Sequence, residues 1–220
     1  MIITIDGPAG SGKSTAAREL AKALAIAHLD TGATYRAVTL KALREKIDLT
    51  DHAALADVTR RADIRLVPAA DGLRVMLDGK DVTAEIRRPD VTENASRIAC
   101  CGAVREILVE LQRKIGAELG SFVTEGRDQG SVVFPDADFK FYIDASPQVR
   151  AARRCEELTA AGEKVDYPQV LQAIIQRDSR DSTRAMAPLI KPADAIVVDT
   201  SGNTIAQTRS ELVRHVEAGR

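Results

Sequence analysis

The chain has 220 residues, of which 45% are hydrophobic, and this length suits one domain with an inserted or appended part. Lys and Arg number 31 and Asp and Glu number 32, so the formal net charge of -1 argues against a general nucleic-acid or membrane-surface binder. No apolar run is long enough for a membrane span, and the 3 cysteines lack metal-ligand spacing, so we expect reduced thiols in a cytoplasmic protein.

The chain begins with the pattern of a strand, a glycine-rich turn and a helix. Residues 1–6 predict a short buried strand, because they are too apolar to alternate. From Lys13 onward, apolar residues recur at helical spacing. A second short strand is predicted at 27–30 and a second helix at 33–46.

The middle of the chain has a different character. Residues 64–67 and 73–77 are strand-like, and Asp-Gly turn signals flank the second of these segments. We therefore predict an inserted hairpin subdomain at about 63–88. Two helical stretches follow, at about 90–101 and 104–119.

The alternation of strand and helix then resumes to the end of the chain. Strands are predicted at 121–125, 139–144 and 195–199, and helices at 149–161, 167–183 and 205–218. Ser146-Pro147 is typical of a helix cap followed by a first-turn proline. This alternation predicts an α/β fold with a mostly parallel sheet covered by helices on both faces.

The turn after the first strand matches the phosphate-binding pattern G-x-x-x-x-G-K-[ST], in the strand-turn-helix context that this pattern requires. Its backbone N–H groups and the helix N-terminus can surround a phosphate. Lys13 can reach the β- and γ-phosphates, and Ser14 can ligate Mg²⁺. A nucleoside triphosphate site follows, with ATPase, GTPase and kinase all open. The lack of a guanine-reading motif and the short chain favour a kinase for a small acceptor.

Several arginines indicate a second phosphate. Arg36 and Arg127 follow predicted strands, and ligands bind beyond the carboxyl ends of parallel strands. Four charged residues at positions i, i+3, i+4 and i+7 share one helix face: Arg177, Arg180, Asp181 and Arg184. That face is either solvated and laced by pairs such as Arg177–Asp181, or it grips a phosphate on the acceptor. A phosphate acceptor is already an anion, which fits the lack of a compelling general base.

Taken in order, these motifs resemble those of the bacterial cytidylate kinases, P-loop kinases of the nucleoside monophosphate kinase group. The resemblance covers nearly the whole chain and rests on IDGPAGSGKST, LDTGATYR, LDGKDVTAEIR, ENASRIA, EGRDQGSVVFPDA and RDSRDSTRAMAPL. It implies a three-layer P-loop sandwich that transfers a phosphoryl group from ATP, with Mg²⁺, to CMP or dCMP. It also implies a CMP-binding subdomain that extends to about residue 101 and a short helical lid at about 146–164.

The resemblance further implies roles for individual residues. ATP would lie on the loop formed by Gly7, Pro8, Ala9, Gly10, Ser11, Gly12, Lys13, Ser14 and Thr15. The phosphate of CMP would be held by Thr31, Arg36, Arg127 and Arg184, its cytosine by Ser96, Arg105 and Asp128, and its ribose by Arg177 and Asp181. The catalytic cations would be Lys13, Arg127, Arg184 and one or two lid arginines; Arg153 is the candidate named for that role, with Arg150 and Arg154 still open.

Two questions stay open on the sequence alone. The acidic residue that supports Mg²⁺ is either Glu125 or Asp30. The alternatives to a CMP kinase are a P-loop kinase for another small acceptor and, from a different class, a nucleotide-dependent switch that binds a partner. A monomer without nucleic-acid or membrane partners is expected.

Overall fold

The computed structural model describes residues 1–69, 72–160, 162–183 and 188–219. In chain order, its strands and helices are β1 (Ile2–Asp6), α1 (Lys13–Leu24), β2 (Ala27–Asp30), α2 (Thr31–Arg44), α3 (His52–Arg60), β3 (Ile64–Ala69), β4 (Gly72–Leu77), β5 (Lys80–Asp81), α4 (Pro89–Ile98), α5 (Gly102–Leu119), β6 (Phe122–Gly126), β7 (Phe139–Asp144), α6 (Pro147–Ala160), α7 (Tyr167–Thr183), β8 (Ile196–Asp199) and α8 (Ile205–Ala218). The chain divides into two compact units, the first formed by Met1–Ile26 with Ser121–Arg220 and the second by Ala27–Gly120.

The first unit is built on parallel strands that lie in the order β6-β1-β7-β8. In the centre, Ile3 of β1 is in register with Val123 of β6 on one side and with Phe139 of β7 on the other. Ile3 and Ile5 are fully buried, which explains why β1 is apolar throughout instead of alternating. The prediction of an α/β fold with a mostly parallel sheet is confirmed.

Two helices cover the parallel strands of the first unit and complete its hydrophobic core. Leu20 of α1 and Leu212 and Val216 of α8 are fully buried against strand residues such as Phe141. Burial of each such side chain contributes about 1.5–3 kcal/mol relative to exposure. The strands that carry the loops of the site are therefore fixed by a well-packed core.

The second unit combines helices with an antiparallel sheet in the order β3-β4-β5. Its own core joins α2, α3, α5 and the sheet through buried residues such as Val38, Val58, Val75 and Val104. The hairpin predicted at about 63–88 lies within this unit, which extends from Ala27 to Gly120.

Of the two Asp-Gly turns predicted in this hairpin region, the structure describes the second in full. Asp78 and Gly79 adopt positive φ values of 49° and 77° and join β4 to β5, with Leu77 in register with Lys80. This is the geometry that favours Asp-Gly in two-residue hairpin turns. At the other predicted turn, Asp71 lies outside the described residues.

Helices α2 and α3 differ from the sequence expectation for reasons that the structure shows. Helix α2 begins at Thr31, before the expected start at residue 33, because Asp30 accepts a hydrogen bond from the Ala33 N–H and caps the helix. Helix α3 was not predicted at all. Its N-cap, Asp51, accepts hydrogen bonds from the N–H groups of Ala53 and Ala54.

Candidate functional site: a phosphate-binding loop and its cations

The loop between β1 and α1 needs glycine at two positions, Gly7 and Gly12, for steric and conformational reasons. A Cβ on Gly7 would lie 2.0 Å from the carbonyl oxygen of Ile143, so no side chain fits there. Gly12 has a φ of 87° and caps α1 without any side-chain hydrogen bond. The loop thus leads directly into a helix N-terminus whose N–H groups carry no side-chain cap, the arrangement that binds phosphate.

Lys13 is the first residue of α1 and is only 6% exposed. Its Nζ donates a hydrogen bond of 2.9 Å to the carbonyl oxygen of Pro8, within the same loop. Burial, reinforced by the positive charges of Arg127 and Arg177, lowers the pKa of Lys13 to about 7. A group of phosphates at this point would supply the negative charge that the buried ammonium lacks.

A buried carboxylate directly before the loop was not recognised from the sequence. Asp6 accepts hydrogen bonds from the N–H groups of Gln129, at 2.9 Å, and Gly130, at 2.8 Å. Burial raises the pKa of Asp6 to about 6, although these two hydrogen bonds oppose the shift. Asp6 therefore ties the end of β1 to the π-helical turn at Gln129–Val133, which directly follows the predicted site residues Arg127 and Asp128.

The predicted acceptor residues of the first unit form a charged group. Arg127 donates a hydrogen bond of 2.8 Å from Nε to Asp181, which is only 8% exposed. The Nε of Arg177 is buried and finds no hydrogen-bond partner among the described residues. Burial and the charge of Arg127 lower the pKa of Arg177.

The solvated-face interpretation of α7 is therefore wrong for its inner residues. Asp181 is buried and pairs with Arg127, and of the three described members of the charged set, Arg180 alone is exposed. Asp128 is buried as well. Arg184, predicted to hold phosphate, lies outside the described residues.

The predicted lid helix, α6, carries Arg153 beside the phosphate-binding loop. A Cβ on Gly12 would lie 3.9 Å from its Nη1. Arg153 donates hydrogen bonds to the Oγ1 of Thr200, at 3.3 Å, and to its carbonyl oxygen, at 2.5 Å. Thr200 donates in turn to the Ser11 carbonyl oxygen at 2.9 Å. Arg154 instead pairs with Glu157 on the exposed side of the helix.

The second unit holds the remaining predicted site residues near the start of α2 and on α4 and α5. Thr31 is buried at the first position of α2. Arg36 donates from Nη2 to Asp30 at 2.6 Å, while its Nε is buried with no hydrogen-bond partner among the described residues. Although burial opposes it, the charges of Arg36 and His28 lower the pKa of Asp30.

The two residues predicted to read cytosine in this unit differ in their surroundings. Arg105 on α5 is buried, and its Cζ lies 5.8 Å from the ring centroid of Tyr35, within cation–π range. Ser96 on α4 is half-buried and donates from Oγ to the carbonyl oxygen of Glu93 at 3.1 Å. That local hydrogen bond was not anticipated.

The described residues contain neither a metal-binding cluster nor a membrane-spanning helix. There, no cluster of three or more His, Cys, Asp or Glu side chains could hold a metal ion. None of the helices described has both the length and the apolar character needed to cross a bilayer.

The parallel sheet and the glycine-rich loop with its buried lysine define a P-loop nucleotide-binding protein. Solved structures agree with the fold: a protein described as uncharacterized, from Eubacterium ventriosum ATCC 27560, matches with a TM-score of 0.54 at 12% identity, covering 99% of each chain. TT1252 from Thermus thermophilus matches with a TM-score of 0.50 at 16% identity, covering 99% of this chain and 96% of its own.

Comparison at the level of sequence defines the family. The family model for cytidylate kinase matches residues 3–218. The cytidylate kinase of Pelotomaculum thermopropionicum is 50% identical over 99% of this chain and 96% of its own length. That of Caldanaerobacter subterraneus subsp. tengcongensis is 52% identical over 97% and 92%. The chain belongs to the cytidylate kinase family, as its motifs predicted.

Proposed function

We propose that the protein transfers the γ-phosphoryl group of ATP to CMP or dCMP, which yields ADP and CDP or dCDP. Membership of the cytidylate kinase family supports this reaction over a kinase for an unrelated acceptor and over a switch protein. The observation in the structure that carries the proposal is a set of buried cationic N–H groups without partners. Within the described chain, the Nε atoms of Arg36 and Arg177 are such groups.

A bound nucleotide would supply acceptors for these donors, and its phosphate would also neutralise their charge. A buried donor that stays unsatisfied costs about 1–3 kcal/mol, and a guanidinium can grip phosphate through two parallel N–H groups. We assign Arg36 with Thr31, and Arg127 with Arg184, to the acceptor phosphate. Their charge would neutralise the acceptor phosphate and the triphosphate, two anions that must approach one another. No general base is needed, because the attacking oxygen belongs to a phosphate that is already an anion.

At the donor phosphates, we assign three tasks to residues of the first unit. The N–H groups of the loop from Gly7 to Thr15 would bind the phosphate oxygens. Lys13 would stabilise the charge that develops on the transferred group, since it is buried and faces other cations. Arg153, which lies beside Gly12, would neutralise further charge and help exclude water.

Mg²⁺ fits the hydroxyl that the loop presents. Ser14 is exposed in the first turn of α1, and hydroxyl and phosphate oxygens are the hard ligands that Mg²⁺ prefers. Ser14 would hold the ion, which would supply charge neutralisation at the phosphates. The charge of Glu125 acts on Lys13 and opposes the lowering of its pKa, so Glu125 lies close to the phosphate-binding loop and we favour it over Asp30 as the supporting acidic residue.

For base and sugar recognition, we assign Ser96, Arg105 and Asp128 to cytosine and Asp181 with Arg177 to ribose. The chain has 3% aromatic residues, so discrimination would depend on hydrogen-bond donors and acceptors more than on stacking. A site built this way rejects a base that lacks the matching group strongly, because its own polar groups would then stay unpaired. A cytoplasmic location and a monomeric state stay predictions.

A panel of acceptors tests the proposed function. Initial rates of ADP release would be measured with CMP, dCMP, UMP, AMP and shikimate at equal, subsaturating concentrations, where they report kcat/KM. We expect CMP and dCMP to exceed the others in kcat/KM by at least about tenfold. If AMP or UMP outran CMP by a wide margin, the cytosine assignments would be wrong; a preference for shikimate would refute the nucleotide acceptor itself.

A further inference from the structure

Arg150 is the most thoroughly hydrogen-bonded arginine of α6, and its surroundings differ from those of its neighbours on that helix. It is only 3% exposed. Its Nε donates to the carbonyl oxygen of Ala145 at 2.8 Å, and its Nη1 donates to that of Ala9 at 3.0 Å. Nη1 and Nη2 also donate to the two carboxylate oxygens of Asp178, at 3.0 and 2.6 Å.

These partners belong to three different elements. Ala145 precedes α6 itself, Ala9 is part of the phosphate-binding loop, and Asp178 lies on α7. The loop backbone also lies directly on the stem of the arginine, since a Cβ on Gly10 would be 3.4 Å from the Cβ of Arg150. One side chain thus connects the loop assigned to ATP with the helix assigned to the acceptor.

The hydrogen bonds leave little capacity for a ligand. A guanidinium has five N–H donors, and the contacts to Ala145, Ala9 and Asp178 occupy four of them. A bidentate grip on phosphate needs two parallel N–H groups. Arg150 in this arrangement is therefore suited to hold protein groups and not the triphosphate, unlike Arg153 beside Gly12.

Asp178 lies on α7 next to the residues assigned to the acceptor, so its contact with Arg150 also affects their position. It follows Arg177 directly and precedes Asp181 by one turn of α7. We infer that Arg150 is a positioning residue that, through Ala9 and Asp178, holds the phosphate-binding loop and α7 in the arrangement required for transfer. This inference rests on the proposed function, because that function gives Arg177 and Asp181 their roles.

The pair is costly to break from either side. Both partners are largely removed from water, with side-chain exposures of 3% and 23%, so loss of one partner leaves the other charge poorly compensated. Misplacement of reacting groups by about 1 Å can cost about 100-fold in rate even when the altered residue is remote from the chemistry. We therefore expect the damage to fall mainly on kcat and less on substrate affinity.

The variants Arg150→Met, Asp178→Asn and their combination test the inference. With both substrates saturating, we expect kcat for CMP to fall about tenfold in Asp178→Asn and about 100-fold in Arg150→Met. The double variant should match Arg150→Met, because residues that act through one contact are not additive. Asp178→Asn preserves the shape of the side chain, and thermal unfolding would verify that each variant is folded.

A matched control is Asp194→Asn, which removes the carboxylate that pairs with Lys140 elsewhere in the first unit and should leave kcat unchanged. If Arg150 instead contacts the triphosphate directly, Asp178→Asn would keep the wild-type kcat while Arg150→Met loses it, and the inference would be overturned. Additive losses would overturn it as well. Wild-type protein that phosphorylates no CMP would refute the proposed function. The smaller losses in ADP affinity that we expect for the same variants would then decide the inference, non-additive losses supporting it and additive ones rejecting it.

Discussion

Three cationic side chains lie in surroundings that compensate a positive charge too little within the described chain: Lys13, Arg36 and Arg177. Lys13 is buried and donates a hydrogen bond to the Pro8 carbonyl oxygen, while Arg36 and Arg177 each keep a buried Nε–H with no hydrogen-bond partner among the described residues. In all three cases a bound anion would compensate the positive charge. Sequence motifs assign Lys13 and Arg36 to phosphates and Arg177 to the ribose, and within the described chain each of the three keeps a charge or a donor that lacks compensation.

The lowered pKa of Lys13 leads to a prediction about proton uptake. In the free protein this pKa is about 7, so at pH 8 most Lys13 side chains are neutral. Phosphates bound beside it favour the charged form and raise the pKa, so nucleotide binding at pH 8 should take up a fraction of one proton. Calorimetry of ADP binding in buffers of different ionisation enthalpy would measure this uptake.

The Lys13→Met variant is the reference for that measurement. It should bind ADP more weakly and lack the proton uptake seen in the wild type, and its kcat should fall by at least about 100-fold because charge stabilisation at the phosphates is lost. Equal binding enthalpies for the wild type in all buffers at pH 8, after correction with the variant, would contradict the depressed pKa.

At the scale of elements, local signals predicted most of the fold. The bounds of β7, α7 and α8 agree with the expected 139–144, 167–183 and 205–218, because each is set by nearby periodicity and turn residues. The two-residue strand β5 and the short helix α3 were missed, since both are too short to show a clear period.

Other features depend on contacts that no local pattern contains. The π-helical turn after Asp128 is held by Asp6, which lies more than 120 residues earlier in the chain. The phosphate-binding loop and the arginines of α7 could be predicted from motif and spacing. The partner that each arginine takes could not, and Arg127 pairs with Asp181 where the spacing suggested Arg177.

Helix α2 provides a prediction at this scale, because Asp30 both caps the helix and holds Arg36. Asp30→Ala should lower the free energy of unfolding by about 1 kcal/mol through loss of the cap. It should also raise KM for CMP, by about tenfold, because Arg36 is no longer oriented. Chemical denaturation and steady-state kinetics would measure the two effects.

The chain offers a matched control in Asp51→Ala. Asp51 caps α3 through the N–H groups of Ala53 and Ala54, and we assign it no part in the site. It should lose a similar free energy of unfolding and keep the KM for CMP. If the two variants had the same KM, Asp30 would be a helix cap and nothing more.

At the scale of the whole molecule, each compact unit contains one part of the proposed chemistry. The first unit carries the phosphate-binding loop with Lys13 and the arginines of α6 and α7, and the second carries Thr31, Arg36, Ser96 and Arg105. Family membership extends over both units, from residue 3 to 218. The reaction assigned to the protein therefore depends on the chain as a whole.

The most direct test of this assignment is the stoichiometry of products. The full-length protein would be incubated with ATP, Mg²⁺ and CMP, and ADP and CDP would be quantified by chromatography over the time course. We predict that CDP and ADP form in equal amounts and that little ADP forms without CMP. ADP released without matching CDP would mean that ATP is hydrolysed or that the phosphoryl group goes elsewhere, and would contradict the account.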